Sequence, residues 1–278
     1  MKKGKLNRKI IRIALKLVLI CSASKSLANP SGMTVSLGSA TAQQLGSQLN
    51  ITVGQLTVLN WSSFNIAAGE TTSFLQPSSG SIVFNIIGDA NPSQIYGNLN
   101  GNGTVILANA NGLYFGPNSM VKVGGSFIAT TAALPPDIGS GSAWQFTGMP
   151  PLASIVNYGQ IQVGQGQSLF LIAENIQNYG GLSAPAGNIA LTAGQNVLVS
   201  ESPDGRGLSA QVQLPQGAVD NFGNITADAG TIALQAQVVN ENGIVQANSV
   251  QSQGGVIELT ASSDLALGAN SQISANGD

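Results

Sequence analysis

The pattern Asn-aromatic-Gly-x-aliphatic recurs along this chain, as Asn157-Tyr158-Gly159-Gln160-Ile161, Asn178-Tyr179-Gly180-Gly181-Leu182 and Asn221-Phe222-Gly223-Asn224-Ile225. A looser copy follows at Asn240-Glu241-Asn242-Gly243-Ile244. The intervals between copies are 21, 43 and 19, so 43 reads as two turns of a period of about 21 residues. A second pattern keeps step with the first, at Gly187-Asn188-Ile189-Ala190-Leu191, Gly230-Thr231-Ile232-Ala233-Leu234 and Gly255-Val256-Ile257-Glu258-Leu259. Two patterns sharing one spacing mark a repeat architecture, in which each repeat is a unit too small to bury its own apolar face.

Within a repeat, apolar residues alternate with small or polar ones, as at Ile257, Leu259 and Ala261, and Gly, Asn, Ser and Asp punctuate the runs. A period of two is the signature of a strand, and no helical stripe is sustained anywhere. Strand-length segments with a repeat of roughly 21 residues predict the coils of an all-β, right-handed parallel β-helix. One coil buries about five aliphatic side chains at about 1.5–3 kcal/mol each, against about 1–2 kcal/mol of backbone entropy for each of its residues. Stacking has to supply the remainder, through backbone hydrogen bonds between coils about 4.8 Å apart. Asparagine suits the corners because it tolerates left-handed conformations and hydrogen-bonds locally.

Residues 33–134 are less regular but still read as strands, for example Met33-Thr34-Val35-Ser36-Leu37 and Ser81-Ile82-Val83-Phe84-Asn85-Ile86. An open apolar end of a solenoid aggregates, so a cap over the first coil is expected from residues around 33–60. Residues 29–134 are thus read as cap and first coils, and 155–278 as repeat coils. Between them, residues 135–154 carry four prolines and three glycines, which predicts an excursion anchored by Trp144 and Phe146. The rhythm persists to the final "ISANGD", so further coils are expected beyond residue 278.

Charge is distributed very unevenly. Eight of the ten cations lie between Lys2 and Lys25, while all twelve carboxylates lie from Glu70 onward. A basic start, the apolar run Leu17 to Ile20, and Ser26-Leu27-Ala28 read as a secretory signal peptide over residues 1–28, cleaved between Ala28 and Asn29. The run is too short to span a bilayer, which needs roughly 20 residues. Cleavage leaves only Lys122 and Arg206 as cations, which excludes the clustered Lys and Arg of a nucleic-acid interface. It also removes Cys21, the sole cysteine, so the mature chain forms no internal disulfide. The sequence contains no histidine, the commonest general base and metal ligand. No catalytic residue, metal ligand or cofactor site is assigned. Lys122 and Arg206 read as solvated surface cations. Phe74, Phe84, Phe115 and Phe127 are read as interior packing in preference to a sugar-stacking platform.

The block from Ile82 to Ala133 resembles the filamentous-haemagglutinin N-terminal, or two-partner secretion, domain. The resemblance rests on Asn91-Pro92-Ser93-x-Ile95-x-Gly97, Gly103-x-Val105-x-Leu107, Asn109-x-Asn111-Gly112-x-x-Phe115-Gly116 and Val123-Gly124-Gly125, in the family's order. It implies a capped right-handed β-helix at the head of an exported protein of a Gram-negative bacterium, secreted or held at the cell surface. It further implies passage through the Sec translocon and signal peptidase, then recognition by an outer-membrane transporter through that partner's periplasmic domains. Folding on the cell surface and a host-cell or bacterial-surface target follow from the same resemblance. Carried over residue by residue, the transporter-recognition candidates are Asn91, Pro92, Ser93, Asn109, Ala110, Asn111 and Gly112. Ala110 departs from the family's Asn-Pro-Asn-Gly turn, in which proline holds φ at about −65° and lowers the entropy lost on ordering.

Two other function classes share the architecture. A self-contained β-helical adhesin needs a closed last coil, which the terminal rhythm does not provide. A polysaccharide lyase needs clustered carboxylates with a nearby cation. Only Glu201, Asp204 and Arg206 approach that arrangement, in a segment that equally reads as a polar loop.

Overall fold

The computed structural model describes residues 29–135, 143–203, 205, 207–250 and 253–277. Among the described residues, no helix is long and apolar enough to cross a membrane. One coil shows how the sequence builds the rest. Thr104–Asn109 forms the first face, residues 110–112 turn, and Leu113–Phe115 forms the second. Residues 116–119 turn again into Met120–Val123 on the third face, and Phe127–Thr130 re-enters the first face one level on. Each strand pairs in parallel with its counterparts in the neighbouring coils. Thr104–Asn109 lies between Ile82–Ile87 and Phe127–Thr130, and Leu113–Phe115 between Ser93–Ile95 and Ser154–Asn157. The chain is an all-β parallel solenoid, a three-faced β-helix.

Alternation sends Val105, Leu107, Phe115, Val121, Val123 and Phe127 into one continuous core shared by all three faces. Phe74, Phe84, Phe115 and Phe127 are all buried, so none offers a surface platform. The first face is apolar on its outer side as well, where Val58, Phe84, Ile106, Ile128, Phe170 and Ala190 form a second cluster. That accounts for its unbroken apolar runs, which are typical of parallel strands covered on both sides. The cover comes from two excursions. Trp144–Phe146 lies antiparallel to Val197–Val199, and the Trp144 ring meets Phe84 edge to face at 5.7 Å. Asn188–Glu201 begins in the first face, leaves it after Ala193, and turns back along Leu208–Pro215 as an antiparallel hairpin.

This hairpin corrects the reading of the longest interval between repeats. Asn178 pairs directly with Asn221 in the next coil, so that interval is one coil plus an insertion and not two turns. Ala193 pairs with Ala173 and Ala218 with Asn175, so residues 194–217 occupy the place of the single residue Glu174. The fourth repeat also shifts by one. Asn221 pairs with Glu241, not Asn240, because the corner glycines Gly223 and Gly243 keep the coils in step. The cap is narrower than residues 33–60. Only Thr34–Leu37 and Ala40–Leu45 run antiparallel over the first coil, whereas Gln48–Val53 and Leu56–Trp61 already pair in parallel with later strands.

The recurring tripeptide now has a physical account. Its Asn is fully buried, and the Asn157 Oδ1 accepts the Gly159 N–H at 3.0 Å, closing the corner. Its glycine permits close stacking, since a Cβ on Gly180 would lie 2.1 Å from the Gly159 carbonyl oxygen. Its aromatic ring, between two inward positions, points outward.

Candidate functional site

Residues 91–93 and 109–112 lie on the same corner of successive coils, where the first face turns into the second. The Asn109 side chain, buried in the core wall, ties them together. Its Nδ2 donates to the Asn91 carbonyl at 3.1 Å and to Ser93 Oγ at 3.0 Å. Its Oδ1 accepts the Asn111 N–H at 2.9 Å, and the Gly112 N–H donates to the Asn109 carbonyl at 3.0 Å, closing a four-residue turn. The Ser93 N–H in turn donates to the Gly112 carbonyl at 3.0 Å.

Outside this buried knot, Asn111 Nδ2 reaches the Asp89 carbonyl at 2.7 Å. Asp89 Oδ1 accepts the Asn91 N–H at 2.9 Å and its Nδ2 at 3.0 Å. Asn91, Pro92, Ala110 and Asn111 are exposed, whereas Ser93, Asn109 and Gly112 are buried. Gly112 is required on two counts: its φ is +110°, and a Cβ there would meet the Ser154 carbonyl oxygen at 2.8 Å. Ala110 occupies the second position of the turn, where proline's fixed φ is favourable. Asn109 before it is in extended strand, the conformation a following proline prefers.

The seven motif residues therefore converge on one corner with an exposed rim and a hydrogen-bonded floor. Such a corner offers shape, amide groups and backbone to a partner, and no nucleophile or acid–base pair. Of the signal-cleavage residues, Ala28 lies outside the described residues. Asn29 packs on the third-face side instead, its Oδ1 accepting Thr72 Oγ1 at 3.1 Å. Lys122 is exposed on the third face, and Arg206 and Asp204 lie outside the described residues. Among the described residues no group of three or more Asp, Glu, His or Cys is placed to hold a metal ion.

Sequence reasoning missed the exposed column of aromatic rings that runs beside this corner. Tyr96, Tyr114, Tyr158, Tyr179 and Phe222 follow one another with centroids 5.6, 5.9, 4.6 and 5.0 Å apart. For Tyr158, Tyr179 and Phe222 the signal was present in the repeat, because the residue after a buried Asn in an alternating strand has to face solvent, whereas Tyr96 and Tyr114 lie outside the repeat.

The family model "TPS secretion domain" matches residues 26–278. The crystal structure of the HMW1 secretion domain from Haemophilus influenzae superposes with a TM-score of 0.81 at 32% identity, covering 90% of this chain and 67% of that one. A heme/hemopexin-binding protein of Haemophilus influenzae strain Rd is 29% identical over 200 residues, covering 69% of this chain and 22% of the relative. A second Haemophilus influenzae protein of that name is 35% identical over 89 residues, 32% of this chain and 10% of the relative. The chain thus spans about a fifth or less of the curated relatives it matches. With its family model, its coil architecture and its motif corner in agreement, the chain belongs to the TPS secretion domain family, the non-catalytic two-partner secretion domains of exported surface proteins.

Proposed function

We propose that the corner built from Asn91, Pro92, Ser93, Asn109, Ala110, Asn111 and Gly112 is the surface this chain presents to the periplasmic recognition domains of an outer-membrane transporter. The family is exported by the Sec route through the periplasm to the cell surface or medium of Gram-negative bacteria. In this reading signal peptidase cuts between Ala28 and Asn29, and the domain leads a longer passenger whose role is adhesion or toxin delivery to a host or bacterial surface. The observation that carries the proposal is the convergence of two family motifs, 18 residues apart, through the Asn109 side chain.

Release into the medium on co-expression with an outer-membrane transporter of the two-partner type tests the proposal. Exposed and buried members have to be separated. Pro92→Ala combined with Asn111→Ala alters the rim, and release is expected to fall several-fold with little change in thermal midpoint. Release indifferent to the rim variants would overturn the assignment. Ala110→Pro is expected to stabilise the fold by about 0.4–1 kcal/mol through the unfolded chain. Its export should be equal or better, and a clear loss would show that this chain's partner reads the alanine turn.

A further inference from the structure

The aromatic column changes character along its length. Tyr158, Tyr179 and Phe222 are stacked nearly parallel, at 5° and 8°, and cover one another's faces. Towards the cap the rings are tilted, Tyr96 against Tyr114 by 50° and Tyr114 against Tyr158 by 44°, so parts of their faces stay open. Gly116 causes this change. It stands at the ladder position between Tyr96 and Tyr158, where a Cβ would lie 2.3 Å from the Tyr96 ring, and Tyr114, two residues upstream, fills the gap.

A concavity of about 310 Å³ opens at this end, with Tyr96 and Pro92 as apolar walls and Asn65, Asp89, Asn91 and Gln94 as polar ones. Its volume is at the lower end of small-ligand sites. Three observations narrow the occupant. A peptide strand needs a free sheet edge, and the edge here is closed: Ile66 N–H donates to the Gln94 carbonyl at 3.0 Å, and Tyr96 N–H to the Ile66 carbonyl at 2.7 Å. The Gln94 N–H is taken by Asn65 Oδ1 at 2.8 Å. An anionic ligand would meet Asp89 in the pocket, with no cation among the lining residues. Finally, the rings repeat every 4.6–5.9 Å, close to the length of one hexose unit in an extended glycan.

We propose that this pocket and the tilted rings leading from it bind a neutral oligosaccharide, with one sugar ring seated against Tyr96 and the next units running past Tyr114. Apolar faces of sugar rings pack on aromatic faces, and their hydroxyls match amide and carboxylate groups as both donors and acceptors. The site shares Asn91 and Pro92 with the export corner, and titration of the folded chain reads sugar binding separately from export.

Isothermal titration of the purified, folded chain with cello-, manno-, laminari-, xylo- and chitohexaose, and with a galacturonate hexamer as the anionic control, tests this. At least one neutral hexasaccharide is expected to bind, with no response to added salt. Tyr96→Ala should weaken it by about tenfold or more, a loss typical of a deleted stacking contact. Tyr96→Phe should keep it, and Phe222→Ala, at the far end of the ladder, should change little. Gln94→Ala, at an exposed position, supplies the same readout if losing the ring disturbs the coil. Absence of binding to every neutral probe at millimolar concentration would overturn the proposal, as would preference for the galacturonate. Binding indifferent to both Tyr96→Ala and Gln94→Ala would overturn it too. Self-association abolished by Tyr96→Ala, without sugar binding, would assign the strip to a second copy of the chain and equally overturn it.

Discussion

Asn157, Asn178 and Asn221 stack through the interior, each Nδ2 donating to the Oδ1 of the next at 2.8 and 2.7 Å. A buried amide costs little only when its donors and acceptors are matched, and a column of identical amides matches them by repetition. The column ends on Glu241, fully buried, whose carboxyl accepts Asn221 Nδ2 at 2.9 Å and the Gly243 N–H at 2.7 Å. Burial pushes its pKa up, and the hydrogen bonds from Asn221 and Gly243 only partly oppose that. Between the ordinary glutamate value and the raised folded one, the folded chain therefore holds a proton that the unfolded chain has already released. This contribution to stability is complete below the ordinary glutamate range and is lost as pH rises through the higher folded value. The denaturant midpoint of the natural chain is expected to fall over that window, and Glu241→Gln, which keeps a neutral side chain at every pH, should flatten the dependence. An unchanged slope in the variant would show that Glu241 is not its source.

At the scale of elements, the coil was legible because alternation, corner glycines and the Asn column all repeat in sequence. The four phenylalanines read as interior are interior for the same reason. The motif residues were legible as a group but not as one corner, because the bonds joining them run from one coil to the next. Insertions are the blind spot of a periodicity argument. A hairpin of strands inside a coil of strands has the same composition as the coil, so one coil with its insertion reads as two turns. The better signal lay in Thr104–Asn109 and Leu169–Ala173, whose every residue is buried, since such a run predicts a covering layer. If the hairpin is only a cover, replacing residues 194–217 with one glutamate, as at Glu174, should leave a cooperative β-sheet fold. The outer side of Phe170 and Ala190 would then be open, so binding of a hydrophobic dye should rise and solubility drop. Loss of the cooperative transition would instead make the hairpin part of the folding nucleus.

The whole molecule is a stack in which each coil touches only its neighbours, so it can form progressively from one end as the chain emerges from a pore. That order of events requires the chain to cross the outer membrane without fixed cross-links, and residues 29–278, which contain no cysteine, meet the requirement. A cross-link placed between adjacent coils tests it directly. Gln162 and Ser183 pair across the third face on its outward side, at the strand spacing of about 4.8 Å, which lies within the Cα range a disulfide spans. Gln162→Cys with Ser183→Cys should oxidise in the periplasm, an oxidising compartment, and trap a closed loop in the chain. Release into the medium is expected to stop for the double variant and to resume with a membrane-permeant reductant, while each single variant is exported normally. Recovery of the double variant from the medium with its disulfide already formed inside the cell would mean that the transporter passes at least a looped chain. Crossing the membrane unlooped would then not be a condition of export.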